Sequence, residues 1–131
     1  MIRRTRYTLL AAVLVGVCST VPAAAQEPGI TIETALGRGV VDRVAVDTAS
    51  AFPADVGAVF LWMRVEGAAG TTLQHVWTHG PHEAVVDLPI GGSPWRTWSS
   101  RTVPPDWTGE WRVEIRDEGG NVLETVMFTV G

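Results

Sequence analysis

Beyond residue 26 the chain alternates apolar and polar side chains with a period of two. No window there repeats apolar residues at i, i+3, i+4 and i+7 for three helical turns. That pattern predicts an all-β protein. In "GEWRVEIRDEGGNVLETVMFTV", Trp111, Val113 and Ile115 alternate with Arg112, Glu114 and Arg116, so one face of the strand is buried and the other solvated. Asp117 to Asn121 reads as a Gly-rich turn, and Val126, Phe128 and Val130 return on the partner strand of a hairpin. Upstream, Val59, Leu61, Met63 and Val65 alternate with Phe60, Trp62 and Arg64 before the "EGAAG" turn.

Further strands are expected in "TTLQHVWTH", in "AVVDLPI" beyond a turn at Gly80-Pro81, and in "WRTWSSRTV", which stops at Pro104-Pro105 because proline cannot continue a ladder. "ITIET" and a weaker strand near Val40 to Val46 come first, followed by a loop at Ala51 to Gly57. The total is about seven or eight strands, mostly antiparallel. Their spacing suits a single immunoglobulin-like β-sandwich over residues 26–131. The chain carries no internal repeat and no low-complexity tract.

The first residues follow another plan. Arg3, Arg4 and Arg6 precede an apolar run from Tyr7 to Val17, then Pro22 and "AAAQ". A basic start, a short apolar middle and small residues at the end make a secretory signal peptide over residues 1–25, with a cut expected after Ala25. Competing readings are weaker on residue grounds. Tyr7 to Ala25 is almost long enough for a membrane anchor but ends in Pro22 and small residues. Acylation of Cys18 wants a small residue where Val17 stands, and twin-arginine export wants an apolar residue where Arg6 stands. The expected localisation is secreted or periplasmic, with no stable membrane insertion after cleavage.

Removal of that leader would leave about 106 residues, one domain, with no cysteine, so burial of apolar side chains must hold it without a disulfide. It would also leave 7 of the 10 arginines against 14 acidic side chains, a net charge of about −7 with histidines neutral. The chain has no lysine. An acidic balance excludes nucleic acid and anionic lipid as natural partners, since both select a basic face.

Candidate chemistry is sparse. His75 and His79 share a strand face but stand about 13 Å apart along it, too far for one metal; only a turn at Gly80-Pro81 could bring His79 and His82 together, and no metal or other cofactor is expected. Trp77 shares the face of His75. If that strand neighbours "PWRTWSSR" in a sheet, then His75, Trp77, Trp95, Arg96, Trp98 and Arg101 form an aromatic and arginine-rich ligand-binding surface. Indole faces stack on sugar rings and guanidinium forks grip carboxylates, so such a surface suits an envelope glycan or a protein partner. Alternation divides the stretch, however. Trp95, Thr97, Ser99 and Arg101 fall on one face and Arg96, Trp98 and Ser100 on the other, so one tryptophan is expected in the core and one outside it.

The same residues have plainer readings. Trp111 belongs to the core, and Trp62, opposite the Val-Leu-Met face, suits the capping of an edge as well as binding. Ser99 or Ser100 could be drawn beside a histidine as a dyad, but no "GxSxG" elbow is present. Asp87 and Asp106 are isolated carboxylates, not a facing pair, and Gly91-Gly92 and Gly119-Gly120 read as turns, not phosphate loops. "DEGG", Asp117 to Gly120, offers too few oxygens for calcium. No catalytic residue is expected.

Taken together, "HVW", "WRTWSS", a proline followed by "WTGEWRVEIRDEGGNVL" and the closing "FTV" resemble the bacterial family called domain of unknown function 2914, from about Phe60 to Val130. The resemblance implies an exported or membrane-tethered module, and it brings no catalytic residues with it. The expected function is therefore an exported binding or interaction module. The alternative is a structural accessory domain whose open sheet edge pairs with another chain, and a small hydrolase or metal-dependent enzyme ranks third.

Overall fold

Each alternating stretch becomes a strand in the computed structural model, which describes residues 29–131. The leader, the cut after Ala25 and Cys18 lie outside the described residues. In chain order the strands are β1 (Thr31–Gly37), β2 (Gly39–Val41), β3 (Val44–Val46), β4 (Ala51–Phe52), β5 (Gly57–Glu66), β6 (Thr72–His79), β7 (His82–Pro89), β8 (Trp95–Val103), β9 (Gly109–Arg116) and β10 (Val122–Val130).

Among the described residues, ten strands replace the seven or eight expected. The weak strand near Val40 is in fact two, because Asp42 and Arg43 both adopt positive φ, 51° and 63°, and fold β2 back onto β3. The loop after Ala51 contains the two-residue β4, which is too short to leave a period in the sequence.

Three sheets result. One has the order β1-β5-β8, the second β4-β10-β9-β6-β7, and the third is the β2-β3 hairpin. All pairings are antiparallel except β4 with β10. The β6–β7 hairpin turns through Gly80 and Pro81, with His79 opposite His82. Gly80 takes φ 54° and proline follows it, a two-residue turn with glycine first, whose twist matches that of the flanking strands.

The inner faces of the two larger sheets share one core. Val59, Leu61, Met63 and Val65 of β5 and Val103 of β8 meet Leu73 and Trp77 of β6, Trp111, Val113 and Ile115 of β9, and Phe128 and Val130 of β10. Phe128 joins the aromatic rings, with centroids 5.6 Å from Trp111, 5.8 Å from Phe52 and 6.2 Å from Trp77. Trp111 is thus in the core, as its strand's alternation requires. Because β8 and β6 lie in different sheets, "PWRTWSSR" faces "HVWTH" across the core instead of lying beside it.

Candidate functional site

That placement reverses the expectation for His75 and Trp77. Their relative exposures are 0% and 1%, so neither belongs to a ligand-binding surface. Both meet Ser99 from the opposite sheet. Trp77 Nε1 donates to Ser99 Oγ at 3.0 Å, and Ser99 Oγ lies 2.6 Å from His75 Nδ1. His75 Nε2 lies 3.3 Å from Met63 Sδ. One protonation pattern satisfies every atom: Ser99 accepts from the indole and donates to Nδ1, while Nε2 carries the proton and points at the weakly accepting sulfur. The imidazole is then neutral. Burial agrees, pushing the His75 pKa down from 6.5 to about 4.

A serine and a histidine at hydrogen-bond distance make the dyad that the sequence left open. Here it is sealed. Ser99 is 7% exposed and its hydroxyl already holds an indole N–H, so no substrate carbonyl reaches Oγ. The network pins the two sheets together through polar contacts inside an apolar core.

The remaining predicted residues divide by face, as the alternation of β8 requires. Trp95 and Arg101 share the inner parity of Ser99. Trp95 packs partly buried against the core, its ring so close to Gly91 that a Cβ there would meet it at 2.8 Å. Trp95 and Arg101 therefore do not join Arg96 and Trp98, which lie half-buried on the outer face of the β1-β5-β8 sheet. Neither tryptophan of the stretch is fully buried.

The outer face is where arginine and tryptophan do converge. Strand register sets Glu33, Arg64 and Arg96 in one row across β1, β5 and β8, and Ala35, Trp62 and Trp98 in the next. The β2-β3 hairpin leans over this face, held by Trp62 Nε1, which donates to the carbonyl of Arg43 at 2.8 Å. Between hairpin and sheet runs an open groove of about 480 Å³ lined by Glu33, Arg43, Val44, Trp62, Arg64, Pro94 and Arg96.

Three guanidinium groups line that groove against one carboxylate. Arg64 is ion-paired with Glu66, which stands outside the lining, whereas Arg43 and Arg96 form no ion pair among the described residues. Arg64 and Arg96 are direct cross-strand neighbours, a like-charge placement that disfavours the sheet unless an anion screens it. The sequence pointed to Arg96 and Trp98 and left Trp62 between capping and binding, but missed Arg43 and Arg64. The alternation of β5 put Trp62 and Arg64 on one face; nothing in the sequence said that this face adjoins Arg96.

Two other clusters are occupied by the fold itself. His79 and His82 do come together at the hairpin, but as aromatic partners. Both stack on Trp107, with centroids 5.4 and 4.0 Å away, and His79 Nε2 donates to the Thr108 carbonyl at 2.8 Å. At the other end Thr72, Gln74, Asp87, Asp117 and Glu118 line an acidic hollow. The Asp117 carboxylate accepts from the Asn121 side chain and from the Gly119 and Asn121 backbone N–H groups. Led by the Asn121 side chain, these bonds lower its pKa.

Fold and site together describe a two-layer all-β domain with a closed core and one basic groove on an outer face. Within it, residues 70–130 match the profile of the family described as protein of unknown function (DUF2914). The chain resembles that family from β6 through β10, so the match covers the sealed network's histidine and serine together with Arg96 and Trp98, but not Arg43, Trp62 or Arg64. No curated protein and no solved structure matches the chain.

Proposed function

We propose that the protein is an exported, non-catalytic binding module that holds an anionic target, an envelope polysaccharide or a protein partner, in the groove between the β2-β3 hairpin and the β1-β5-β8 sheet. One observation carries the reading: Arg43, Arg64 and Arg96 converge on one groove of a chain whose net charge is negative. Arginine forks bind carboxylates in pairs of parallel hydrogen bonds, and Pro94, Val44 and Trp62 supply an apolar wall for the body of a ligand. Trp98 stands one row further along the same face.

The corresponding fold is an immunoglobulin-like sandwich. The neighbour order β10-β9-β6-β7 follows that of strands G, F, C and C′ in such domains, and β1-β5-β8 follows A, B and E. Buried Trp77 on β6 occupies the strand on which that fold keeps its core tryptophan.

The test is intrinsic tryptophan fluorescence, titrated with carboxylated glycans, neutral glycans and acidic peptides. The expected result is a saturable change with an acidic ligand that weakens with salt and is about tenfold weaker in Arg96→Ala and in Arg43→Ala. Binding of neutral glycans unaffected by either variant would refute the groove. Which acidic ligand binds distinguishes polysaccharide from protein.

A further inference from the structure

The two large sheets are unequal, and the difference leaves a strand-shaped gap. β6 faces β8 across the core, since His75 and Trp77 both reach Ser99. β7 is the next strand outward in its own sheet, and among the described residues no strand lies beyond β8 to cover it; of its side chains only Leu88, near the connection to β8, is buried. The inner-facing Ala84 and Val86 of β7 are accordingly only half-buried, while their β6 neighbours Trp77 and His75 are sealed. Both β7 and β8 are edge strands on this flank, eight and nine residues long.

The open edge of β7 is ready to pair. His79 and His82 close a two-residue turn, which makes them a hydrogen-bonded pair and sends the N–H and C=O of Glu83, Val85 and Asp87 away from β6. Val85 is 52% exposed, and no proline or bulge interrupts His82 to Leu88.

We infer that a second copy of this chain fills the gap: β7 of each copy adds to β8 of the other, antiparallel, about a two-fold axis parallel to the strands. The offset that leaves β7 uncovered is the offset this symmetry needs. A β7 set beside β8 in one sheet lies opposite the first copy's own β7, so Ala84 and Val86 of the two copies face each other and complete the core. Side-chain parity agrees. Glu83, Val85 and Asp87 point outward on β7, as do Arg96, Trp98 and Ser100 on β8, and a register placing Asp87 beside Arg96 also places Val85 beside Trp98. An acidic edge thus meets a basic one. Pairing β7 with β7 directly would oppose Glu83 and Asp87, a like-charge contact that disfavours it. Arg101, on the inner parity of β8, is only partly buried. The inference does not rest on what the groove binds: the two share Arg96, which would have Asp87 of the second copy beside it, but the added strand extends the sheet sideways and leaves Arg43 and Arg64 open on the outer face.

The test is sedimentation of the purified protein from micromolar to near-millimolar concentration, with hydrogen exchange on the same samples. A reversible monomer–dimer equilibrium is expected, with the amides of Glu83, Val85 and Asp87 slowing as the dimer forms. Val86→Lys, tolerable in the monomer because the site is half-exposed, should abolish the dimer across the range; Ala84→Lys serves the same purpose should the first variant fail to fold. A protein that stays monomeric at every concentration overturns the inference. So does a dimer in which those three amides stay unprotected, or one that survives a folded variant.

Discussion

Burial holds His75 neutral, and its environment makes stability depend on pH in a definite direction. Unfolded, it takes a proton near pH 6.5; folded, it resists until about pH 4. Above pH 7 neither state is protonated and the residue adds no pH dependence. As pH falls from 6.5 to 4 the unfolded chain binds a proton that the folded chain refuses, so stability falls across that window and levels off below it. The size of the loss is roughly 3 kcal/mol. Urea denaturation at pH 7.5 and pH 4.5 should show it, with the drop smaller by about that amount in His75→Gln. Ser99 carries the complementary prediction. Ser99→Ala leaves the Trp77 indole N–H and His75 Nδ1 buried without partners, which should cost about 3 kcal/mol at pH 7.5, with little change in the spectrum of the folded state. Sequence placed His75, Trp77 and Ser99 correctly by parity but read two of them as surface. A strand's period says which residues share a face; it does not say whether that face meets solvent or a second sheet.

At the level of elements, the alternation identified every strand longer than three residues, and even the split of "PWRTWSSR" into two faces. The β9–β10 hairpin was legible from its Gly-rich turn, but pairing between strands not joined by a tight turn was not, because it is set by contacts far apart in sequence, and β6 and β8 oppose each other across the core instead of lying in one sheet. The β2-β3 hairpin was blurred for a different reason. Asp42-Arg43 gives none of the Asn-Gly signal that normally announces such a turn, yet both residues sit at positive φ. A side chain there costs about 1 kcal/mol relative to glycine. Arg43 lines the groove and its carbonyl anchors Trp62, so the strained residue and the basic site coincide. Arg43→Gly should therefore raise the thermal midpoint while weakening the acidic ligand about tenfold, the loss of one charge-assisted contact. Calorimetry and the fluorescence titration on the same variant separate the two effects; a variant that binds unchanged would remove Arg43 from the site.

Across the whole molecule, a core of about 100 residues without a disulfide leaves only a narrow margin of stability, and pairing through β7 and β8 would widen it by mass action. If folded chains dimerise and unfolded chains do not, each tenfold rise in concentration above the dissociation constant stabilises a dimer by about 1.4 kcal/mol, or half that per chain. For a domain of this size the thermal midpoint should then climb by roughly 3–5 °C per tenfold. Scanning calorimetry over two decades of concentration reads this directly. In Val86→Lys the midpoint should not move with concentration, because the buried positive charges that would face each other across the two-fold axis keep the chains apart. The same scans run in reducing buffer should superimpose on those without it, since the described residues contain no cysteine and the edge contact needs none. A midpoint that rises with concentration in both the parent and the lysine variant would assign the association to a surface other than β7.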